Sequence, residues 1–349
     1  MKPNPYKHRL CLLLMSKFPF SNCRSVLLFT GDVSHSPNPN FLKFASCEVD
    51  GAILVWMPKE KALITSKMNA LAAQNQFSGR VLAIDSSDIG SVLKKMLPAG
   101  KVGLDFRYIR ADRYMRLVKL FGMKRLVDVS DVLDGLRRVK QPDEIAKISK
   151  AIRISKDILA SLELSSSMSE LDVVRQLSIG CTERDVSLAF PPIVAAGANA
   201  REPHHLHSSK KLGNGIVLID FGAQYQHYCA DLSRCYFLGP AKEERKRYEE
   251  AKEMHAAIVD EILSFSTGGE LGRFADNYAR KRLHWPQMIH SIGHGLGIEV
   301  HDPPHLGLKS KDKLQEGVVL AIEPGWYGKK FGVRFEDDIV IGKKKARVL

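Results

Sequence analysis

The chain has 349 residues, of which 44% are hydrophobic and 26% are charged, and its formal net charge is +13. These proportions are those of a globular protein, and they exclude a disordered or fibrous chain. Because basic and acidic residues are interspersed, the positive charge does not indicate a nucleic-acid-binding protein.

Near the amino terminus, the apolar run Leu10–Met15 is shorter than the roughly 7–15 apolar residues of a secretory signal peptide. No uncharged apolar run approaches the roughly 18 residues that a membrane span requires. The six cysteines show no CxxC spacing, so we interpret them as reduced thiols. We therefore expect a cytoplasmic protein with neither a membrane nor a nucleic acid as partner.

Residues 1–136 alternate short apolar runs with amphipathic runs, which predicts an α/β domain with a mixed sheet. Helices are predicted over Asp88–Leu97 and Ala111–Phe121. This part of the sequence contains no catalytic motif. The predicted strands are Ser25–Phe29, Gly51–Trp56, Ala62–Thr65, Val81–Asp85, Lys101–Asp105 and Arg125–Val129.

A domain boundary is predicted near Arg137–Asp143, so that residues 137–349 form a second domain. Pro142 cannot continue a helix from the residues before it, and the acidic pair that follows suits the positive end of a new helix. A further helix is predicted to begin at Ser169, since Asp172 completes a pattern that resembles a capping box.

The rest of the second domain is predicted to form strands, a hairpin and two helices. The hairpin turns near Gln224–His227, a charged helix extends to about Ser266, and Thr267–Gly269 is predicted to be a loop. A second helix is expected from Leu271 to Leu283. Strands are predicted over Val194–Gly197, Ile216–Phe221, Val318–Glu323 and Val333–Ile341.

Two acidic residues in the hairpin are candidate metal ligands. Asp220 interrupts an apolar strand, and Asp231 lies eleven positions later in the returning arm. A buried carboxylate is costly unless it is paired or bound to a cation. From these two residues alone, the alternative remains open that Asp220 is a hydrogen-bonded core residue and Asp231 an unrelated surface residue.

A glycine-rich stretch carries His290, His294 and His301. Glycines allow the backbone to approach a ligand closely, and a neutral imidazole can bind a metal or move a proton. A single histidine in such a stretch is usually structural, but three with interspersed glycines favour a functional site.

Two more carboxylates follow in apolar strands. Glu323 ends one strand and Glu336 lies inside the next, where Arg334 shares its face and could support a ligating carboxylate. Asp338 lies on the same face, and Asp337 on the opposite one. The four carboxylates and one imidazole suit two divalent ions about 3.5–4 Å apart. Ligation mainly by oxygen favours Mn²⁺, Co²⁺, Fe²⁺ or Zn²⁺ over a metal that prefers thiolates.

The order and spacing of these residues resemble the metallopeptidases of the creatinase/aminopeptidase, or pita-bread, fold. The similarity is strongest to the proline-specific members, Xaa-Pro aminopeptidase and Xaa-Pro dipeptidase (prolidase). It is strong over residues 137–349 and weak over the preceding domain. The matching stretches are Arg137–Ile145, Leu218–Arg234, His290–Pro304, Ala321–Gly325 and Gly332–Ile341.

The resemblance implies an α+β protein whose second domain is a curved, mostly antiparallel sheet covered by helices. It implies that Asp220 binds one metal ion and that Asp231 and Glu336 bridge two. His294 and Glu323 would bind the second ion. A metal-bridging water or hydroxide would then attack Xaa-Pro bonds of short peptides, and the enzyme would be a homodimer.

The same resemblance suggests further roles in catalysis. Glu323 would relay a proton, His301 would stabilise the intermediate or orient the substrate, and His290 would contact the proline side. An upstream histidine is also expected; we favour His204, with His205 as the alternative. His227 stands where many relatives carry glycine.

The sequence favours three alternative functions less. A methionine aminopeptidase usually lacks a substantial preceding domain, and a metal-free creatinase-like hydrolase would not need five intact ligands. A non-enzymatic binding protein of the same fold would be expected to lose ligands. The sequence does not distinguish a dipeptidase from an aminopeptidase, and it does not identify the first residue preferred.

Overall fold

A computed structural model of the chain describes residues 18–31 and 38–349. The apolar run Leu10–Met15 and Cys11 lie outside these described residues. Two compact units divide the chain, at 1–136 and 137–349. Within the described ranges, no helix has both the length and the apolar composition needed to cross a bilayer.

The first unit contains one mixed six-stranded sheet in the order β4-β3-β2-β1-β5-β6. Strands β1/β2 and β2/β3 pair antiparallel, whereas β1/β5, β3/β4 and β5/β6 pair parallel. Each strand lies within two residues of its predicted bounds. The strands are β1 (Ser25–Phe29), β2 (Ile53–Trp56), β3 (Lys61–Ser66), β4 (Arg80–Ile84), β5 (Val102–Leu104) and β6 (Leu126–Asp128).

Apolar clusters cover both faces of this sheet. Along β1, Val26 and Leu28 pack into one cluster while Leu27 and Phe29 pack into the other, because successive side chains point to opposite faces. Among the described residues of this unit, two helices were predicted and three lie where no helix was expected. The helices are α1 (Pro39–Ala45), α2 (Ala70–Gln76), α3 (Ile89–Met96), α4 (Ala111–Phe121) and α5 (Ser130–Arg138).

The second unit contributes four long helices. Glu144 accepts a hydrogen bond from the Gln141 backbone (2.9 Å) at the start of the first. Ser169 and Asp172 form a reciprocal capping box at the start of the second, as predicted. The helices are α6 (Pro142–Ala160), α7 (Glu170–Thr182), α8 (Lys242–Glu261) and α9 (Gly268–Lys281).

All named strand pairs of the second unit are antiparallel. They form four sheets, with the strand orders β11-β10-β7, β12-β9-β8, β14-β13-β15-β18-β19 and β16-β17. The strands are β7 (Ser187–Leu188), β8 (Ile193–Ala196), β9 (Gly215–Phe221), β10 (Ala223–Tyr225), β11 (Tyr228–Cys229), β12 (Leu232–Leu238), β13 (Gly293–Gly295), β14 (Asp302–His305), β15 (Val319–Ile322), β16 (Gly325–Tyr327), β17 (Gly332–Arg334), β18 (Asp337–Ile341) and β19 (Ala346–Val348).

The predicted loop over Thr267–Gly269 is wrong. Thr267 is the N-cap of α9: its side chain accepts a hydrogen bond from the Glu270 backbone, and Glu270 bonds back. The two glycines form the first turn, where close contacts with the 305–310 backbone leave no room for a side chain. The sequence Thr-Gly-Gly-Glu therefore encodes a capping box rather than a loop.

The predicted strand Val333–Ile341 is interrupted at Glu336. The Phe335 backbone donates to the Pro324 carbonyl, and the Glu336 backbone donates to the Ser233 carbonyl at 3.2 Å. These bonds divide the segment into β17 and β18. Glu336 consequently lies between two strands, next to the start of β12, and not inside a regular strand.

The two arms of the predicted hairpin approach very closely at Gly222. A Cβ atom built at this position would lie 1.7 Å from the Ala230 carbonyl oxygen. At the tip of the hairpin, Gln226 and His227 both adopt positive φ, 49° and 69°. His227 therefore occupies a backbone conformation that favours glycine.

Candidate active site

The hairpin brings two acidic residues to the same end of a ladder. Asp220 lies near the end of β9, and Asp231 immediately precedes β12, which pairs with β9 so that Asp220 faces Ser233 across the ladder. Both carboxylates are buried. Two acidic side chains so close together in an apolar setting repel each other unless a cation is shared.

The neighbouring ladder adds an imidazole and two further carboxylates. His294 on β13 pairs with Ala321 on β15, and β15 in turn pairs with β18. Glu323 follows β15 directly, and Glu336 precedes β18. The convergence of His294, Glu323 and Glu336 therefore depends on the pairing of β13, β15 and β18.

One oxygen or nitrogen atom from each of Asp231, His294 and Glu336 lies within 4.8 Å of the other two. His294 Nε2 is 3.6 Å from Asp231 Oδ2 and 3.9 Å from Glu323 Oε1. The structure thus brings four of the five predicted metal ligands into one cluster. The fifth, Asp220, is linked to it through Arg334.

Arg334 is buried, and its guanidinium joins several groups of the site. Its Nη2 donates to Asp220 Oδ2 at 2.6 Å, and its Nε donates to the Ser233 hydroxyl at 2.8 Å. Ser233 in turn donates to Glu336 Oε2 at 2.9 Å. The expected support of a carboxylate by Arg334 therefore falls directly on Asp220 and reaches Glu336 only through Ser233.

The two residues after Glu336 point in opposite directions, as strand alternation predicts. Asp338 Oδ2 accepts a hydrogen bond from the Asp231 backbone at 2.9 Å. Asp337 instead accepts from Arg234 Nη2 at 2.7 Å. Asp338 therefore fixes the backbone of a candidate ligand, whereas Asp337 belongs to an ion pair on the other face.

Burial and mutual repulsion make the carboxylates of this cluster resist ionisation. The pKa values of Asp231 and Glu336 lie well above their ordinary value, because both groups are desolvated and surrounded by other carboxylates. Burial raises the pKa of Glu323 to about 8. A divalent cation would reverse this by stabilising the charged forms.

The donor set fits such a cation. Asp220 Oδ1 and Asp231 Oδ1 are buried and have no hydrogen-bond partner, although buried carboxylate oxygens are normally satisfied. Oxygen donors with a single imidazole suit Mn²⁺, Fe²⁺, Co²⁺ or Zn²⁺.

The histidines are held in defined tautomers. His294 Nδ1 donates to the Gly295 carbonyl at 3.1 Å, which leaves the Nε2 lone pair facing the carboxylates. Burial lowers the pKa of His294 to about 3 and that of His290 to about 4. The ring of His301 stands edge-on to that of His294, with centroids 4.2 Å apart. The imidazoles of His290 and His294 are therefore neutral at physiological pH.

His290 is also connected to Arg334 by hydrogen bonds through the Tyr327 hydroxyl. Arg334 Nη1 donates to the Tyr327 hydroxyl at 2.8 Å, and that hydroxyl lies 3.2 Å from His290 Nε2. Because His290 Nδ1 donates to the Ser291 carbonyl at 2.7 Å, its Nε2 is free to accept from Tyr327 in the neutral tautomer.

The two upstream histidines have different surroundings. His204 is exposed and close enough to His290 and His301 to contribute to lowering both their pKa values. His205 Nε2 instead lies 3.1 Å from Glu170 Oε2. His204 therefore lies beside the other site histidines, and His205 points away into the supporting structure.

Sequence reasoning missed Ser233, Tyr327 and Glu170. Ser233 could have been found from the hairpin, because two carboxylates in paired arms need polar neighbours across the ladder. Tyr327 and Glu170 have no comparable signal in the sequence. Tyr327 is placed by β16, and the hydrogen bonds of Glu170 depend on a loop whose conformation is not periodic.

Family models match both parts of the chain. The model described as "Metallopeptidase family M24" matches residues 146–343, and "Creatinase/Prolidase N-terminal domain" matches residues 44–139. The chain belongs to metallopeptidase family M24. Membership of this metallopeptidase family implies divalent metal ions. The family resemblance and the metallopeptidase class predicted from sequence are confirmed.

Related proteins and solved structures agree with this M24 assignment. An Xaa-Pro dipeptidase of Pyrococcus horikoshii is 34% identical over 242 residues, covering 67% of this chain and 68% of that protein. An X-Pro aminopeptidase from Thermotoga maritima MSB8 has a TM-score of 0.83 at 26% identity, over 93% of this chain and 95% of that one. A prolidase from Pyrococcus horikoshii OT3 has the same TM-score and identity, over 93% of each chain. The predicted creatinase-type and pita-bread domains are therefore confirmed.

Proposed function

We propose that this M24 metallopeptidase is an exopeptidase that hydrolyses Xaa-Pro bonds in dipeptides or short peptides with two divalent metal ions. The observation that carries the proposal is the buried convergence of Asp231, His294 and Glu336, next to carboxylate oxygens that have no partner. Proline specificity is supported by the names of the relatives, an Xaa-Pro dipeptidase and a prolidase.

In this proposal Asp220 and Asp231 would hold one ion, and His294 and Glu323 would hold the other. Asp231 and Glu336 would contribute to both. When bound, two such ions would provide a hydroxide nucleophile at neutral pH and would polarise the scissile carbonyl. We propose Mn²⁺ as the native metal, with Co²⁺, Zn²⁺ or Fe²⁺ as alternatives.

The remaining side chains would orient groups and move protons. Glu323 would accept a proton at a carboxylate oxygen during attack and deliver it to the leaving proline nitrogen. His301 would donate to the developing oxyanion. His204 and His290 would position the substrate, and Tyr327 would hold the His290 ring by bonding to Nε2.

Arg334 has a separate role in this proposal. It would hold the Asp220 carboxylate in a fixed orientation through the 2.6 Å ion pair. We further propose that the enzyme is a cytoplasmic homodimer, a proposal that rests on the family resemblance and the buried free cysteines.

The test is hydrolysis of Ala-Pro, Ala-Pro-Ala and Met-Ala-Ser by protein that has been treated with chelator and then given Mn²⁺, Co²⁺ or Zn²⁺. Ala-Ala serves as the matched dipeptide without proline. Metal-dependent cleavage of Ala-Pro alone is expected for a dipeptidase, and cleavage of Ala-Pro-Ala as well is expected for an aminopeptidase. Cleavage of the methionine peptide alone would contradict the proposal and favour a methionine aminopeptidase.

A further inference from the structure

Glu170, the first residue of α7, is fully buried and accepts five hydrogen bonds from one loop. Its Oε1 accepts from the Ala196 backbone and from Asn199 Nδ2, both at 2.9 Å. Its Oε2 accepts from the Ser208 backbone (2.9 Å), the Ser208 hydroxyl (2.8 Å) and His205 Nε2 (3.1 Å). Burial alone would raise the pKa of Glu170, but these hydrogen bonds outweigh it and lower the pKa.

The donors to Glu170 are distributed along the whole segment 196–208, which we call the His204 loop. Ala196 begins the loop, Ser208 ends it, and Asn199 and His205 lie between them. The loop is also held from the active site, because Arg334 Nη1 donates to the Pro203 carbonyl at 3.3 Å. His204 follows that carbonyl directly, so its position is fixed from both sides.

Burying a carboxylate is unfavourable, and apolar replacement of buried charges is often neutral or stabilising. Five converging donors therefore point to a requirement for one loop conformation and not to a gain in stability. A glutamine could not replace Glu170. Its amide NH₂ would face at least two of the donors, whichever way the side chain was turned.

We propose that Glu170 is a positioning residue for hydrolysis: it holds the His204 loop, and with it His204, in place beside the active site. This inference rests on the proposed function, in which His204 positions the substrate. Glu170 is not a metal ligand, since its carboxylate is fully engaged by the loop. Its loss is therefore expected to reduce turnover while leaving bound metal unchanged.

The experiment compares Glu170→Gln with Glu202→Gln in the metal-loaded enzyme. Glu202 is the matched control because its largely exposed carboxylate lies 3.4 Å from His205 Nδ1, on the same ring that Glu170 contacts. We expect kcat/KM for the cleaved Xaa-Pro substrate to fall roughly tenfold to a hundredfold in Glu170→Gln and to change less than about twofold in the control. Metal content should equal that of wild type in both variants.

A double-variant cycle separates positioning from general damage to the fold. In a His204→Ala background, Glu170→Gln should cause less than about a twofold further loss, because its effect passes through His204. Full additivity of the two losses, or a loss of metal in Glu170→Gln, would overturn the proposal. If Glu170→Gln does not fold, Asn199→Ala removes a single donor, and a smaller loss that also vanishes in the His204→Ala background is expected.

Tryptic cleavage within 201–211 provides a measurement that does not depend on activity. Faster cleavage there in Glu170→Gln than in wild type supports the anchoring, and equal rates contradict it. Wild type is the reference here because Glu202 directly follows Arg201, so Glu202→Gln would itself alter a tryptic site. If wild-type enzyme cleaves no Xaa-Pro substrate, the proposed function fails, and the proteolysis result still decides whether Glu170 anchors the loop. If wild type is active and Glu170→Gln equals it, only the inference about Glu170 fails.

Discussion

Arg334 Nη2 lies 2.6 Å from Asp220 Oδ2, and both side chains are buried. The same guanidinium reaches Glu336 through the Ser233 hydroxyl. One cation from the chain itself thus contacts one candidate metal ligand directly and another through a single hydroxyl group. Arg334 therefore offsets part of the negative charge of the cluster before any metal binds.

Replacing Arg334 by lysine should reduce kcat/KM by at least about tenfold. Lysine keeps the charge but cannot donate in several fixed directions to Asp220, Ser233 and Tyr327 at once. Steady-state hydrolysis of Ala-Pro measures the loss. Arg247→Lys, a change at an arginine that bonds to Glu250 on α8, is the control; equal activity of Arg334→Lys and wild type would contradict the expectation.

Asp231→Ala and Glu336→Ala should each abolish activity and lower the metal bound per chain, since each residue is proposed to contact both ions. Metal analysis after dialysis and hydrolysis of Ala-Pro measure the two effects. Glu183→Ala, which removes a largely exposed carboxylate, should change neither. Turnover close to wild type in either cluster variant would refute the metal centre.

His301→Ala should reduce turnover more than metal content. His301 is exposed, and it touches the cluster through the edge-on contact with His294, so its loss leaves the proposed ligands in place. The comparison is between kcat and metal per chain in the same preparation. Parallel loss of both quantities would make His301 a ligand or a structural residue.

Asp302 lies between two buried cations, and its replacement should destabilise the second unit. Lys140 Nζ is 3.1 Å from Asp302 Oδ2, and Arg137 Nη2 is 3.3 Å from Asp302 Oδ1. Asp302→Asn should lower the free energy of unfolding by about 3–5 kcal/mol, because it breaks buried ion pairs. Lys140→Met should cost less, since Arg137 remains as a partner. Urea unfolding tests the order of the two, and the reverse order would contradict it.

Lys61 should make the stability of the first unit depend on pH. Its ammonium donates to the Phe44 carbonyl at 2.9 Å and lies over the Trp56 ring, and burial lowers its pKa to about 8. Between about pH 8 and the ordinary lysine value near 10.5, the unfolded chain binds the extra proton. Stability should therefore rise with pH across this window.

The measurement for Lys61 is the difference in unfolding free energy between wild type and Lys61→Met. This difference cancels other titrating groups that the two proteins share. It should shift in favour of wild type as the pH is raised from about 8 to about 10. A constant difference across that range would show that Lys61 stays charged in the folded protein.

The sequence predicted most of the first unit because its signals are local. A short apolar run located β1, and a helical pattern located α4, at their observed bounds. The capping pattern at Ser169 was equally local and correct. At Thr267 the same chemistry was hidden, because two glycines suggested a loop although the helix backbone packs too closely for any larger residue.

The candidate ligands could be selected from the sequence because a charged residue in an apolar strand is conspicuous. The residues that support these ligands could not be selected in this way. Ser233 is recognisable only through its register with Asp220, and Glu170 only through a loop that begins 26 residues later. The interruption of the strand at Glu336 likewise depends on a bond to Ser233, more than 100 residues away along the chain.

The close approach at Gly222 has a consequence for how the protein can vary. Every single-base change in a glycine codon that alters the amino acid either ends translation or introduces a Cβ, and a Cβ here would collide with the Ala230 carbonyl. Such a change would push apart the arms that carry Asp220 and Asp231. A single base change that alters the amino acid at this codon would therefore displace Asp220 and Asp231. Position 222 is expected to remain glycine for as long as the chain keeps its hydrolytic site.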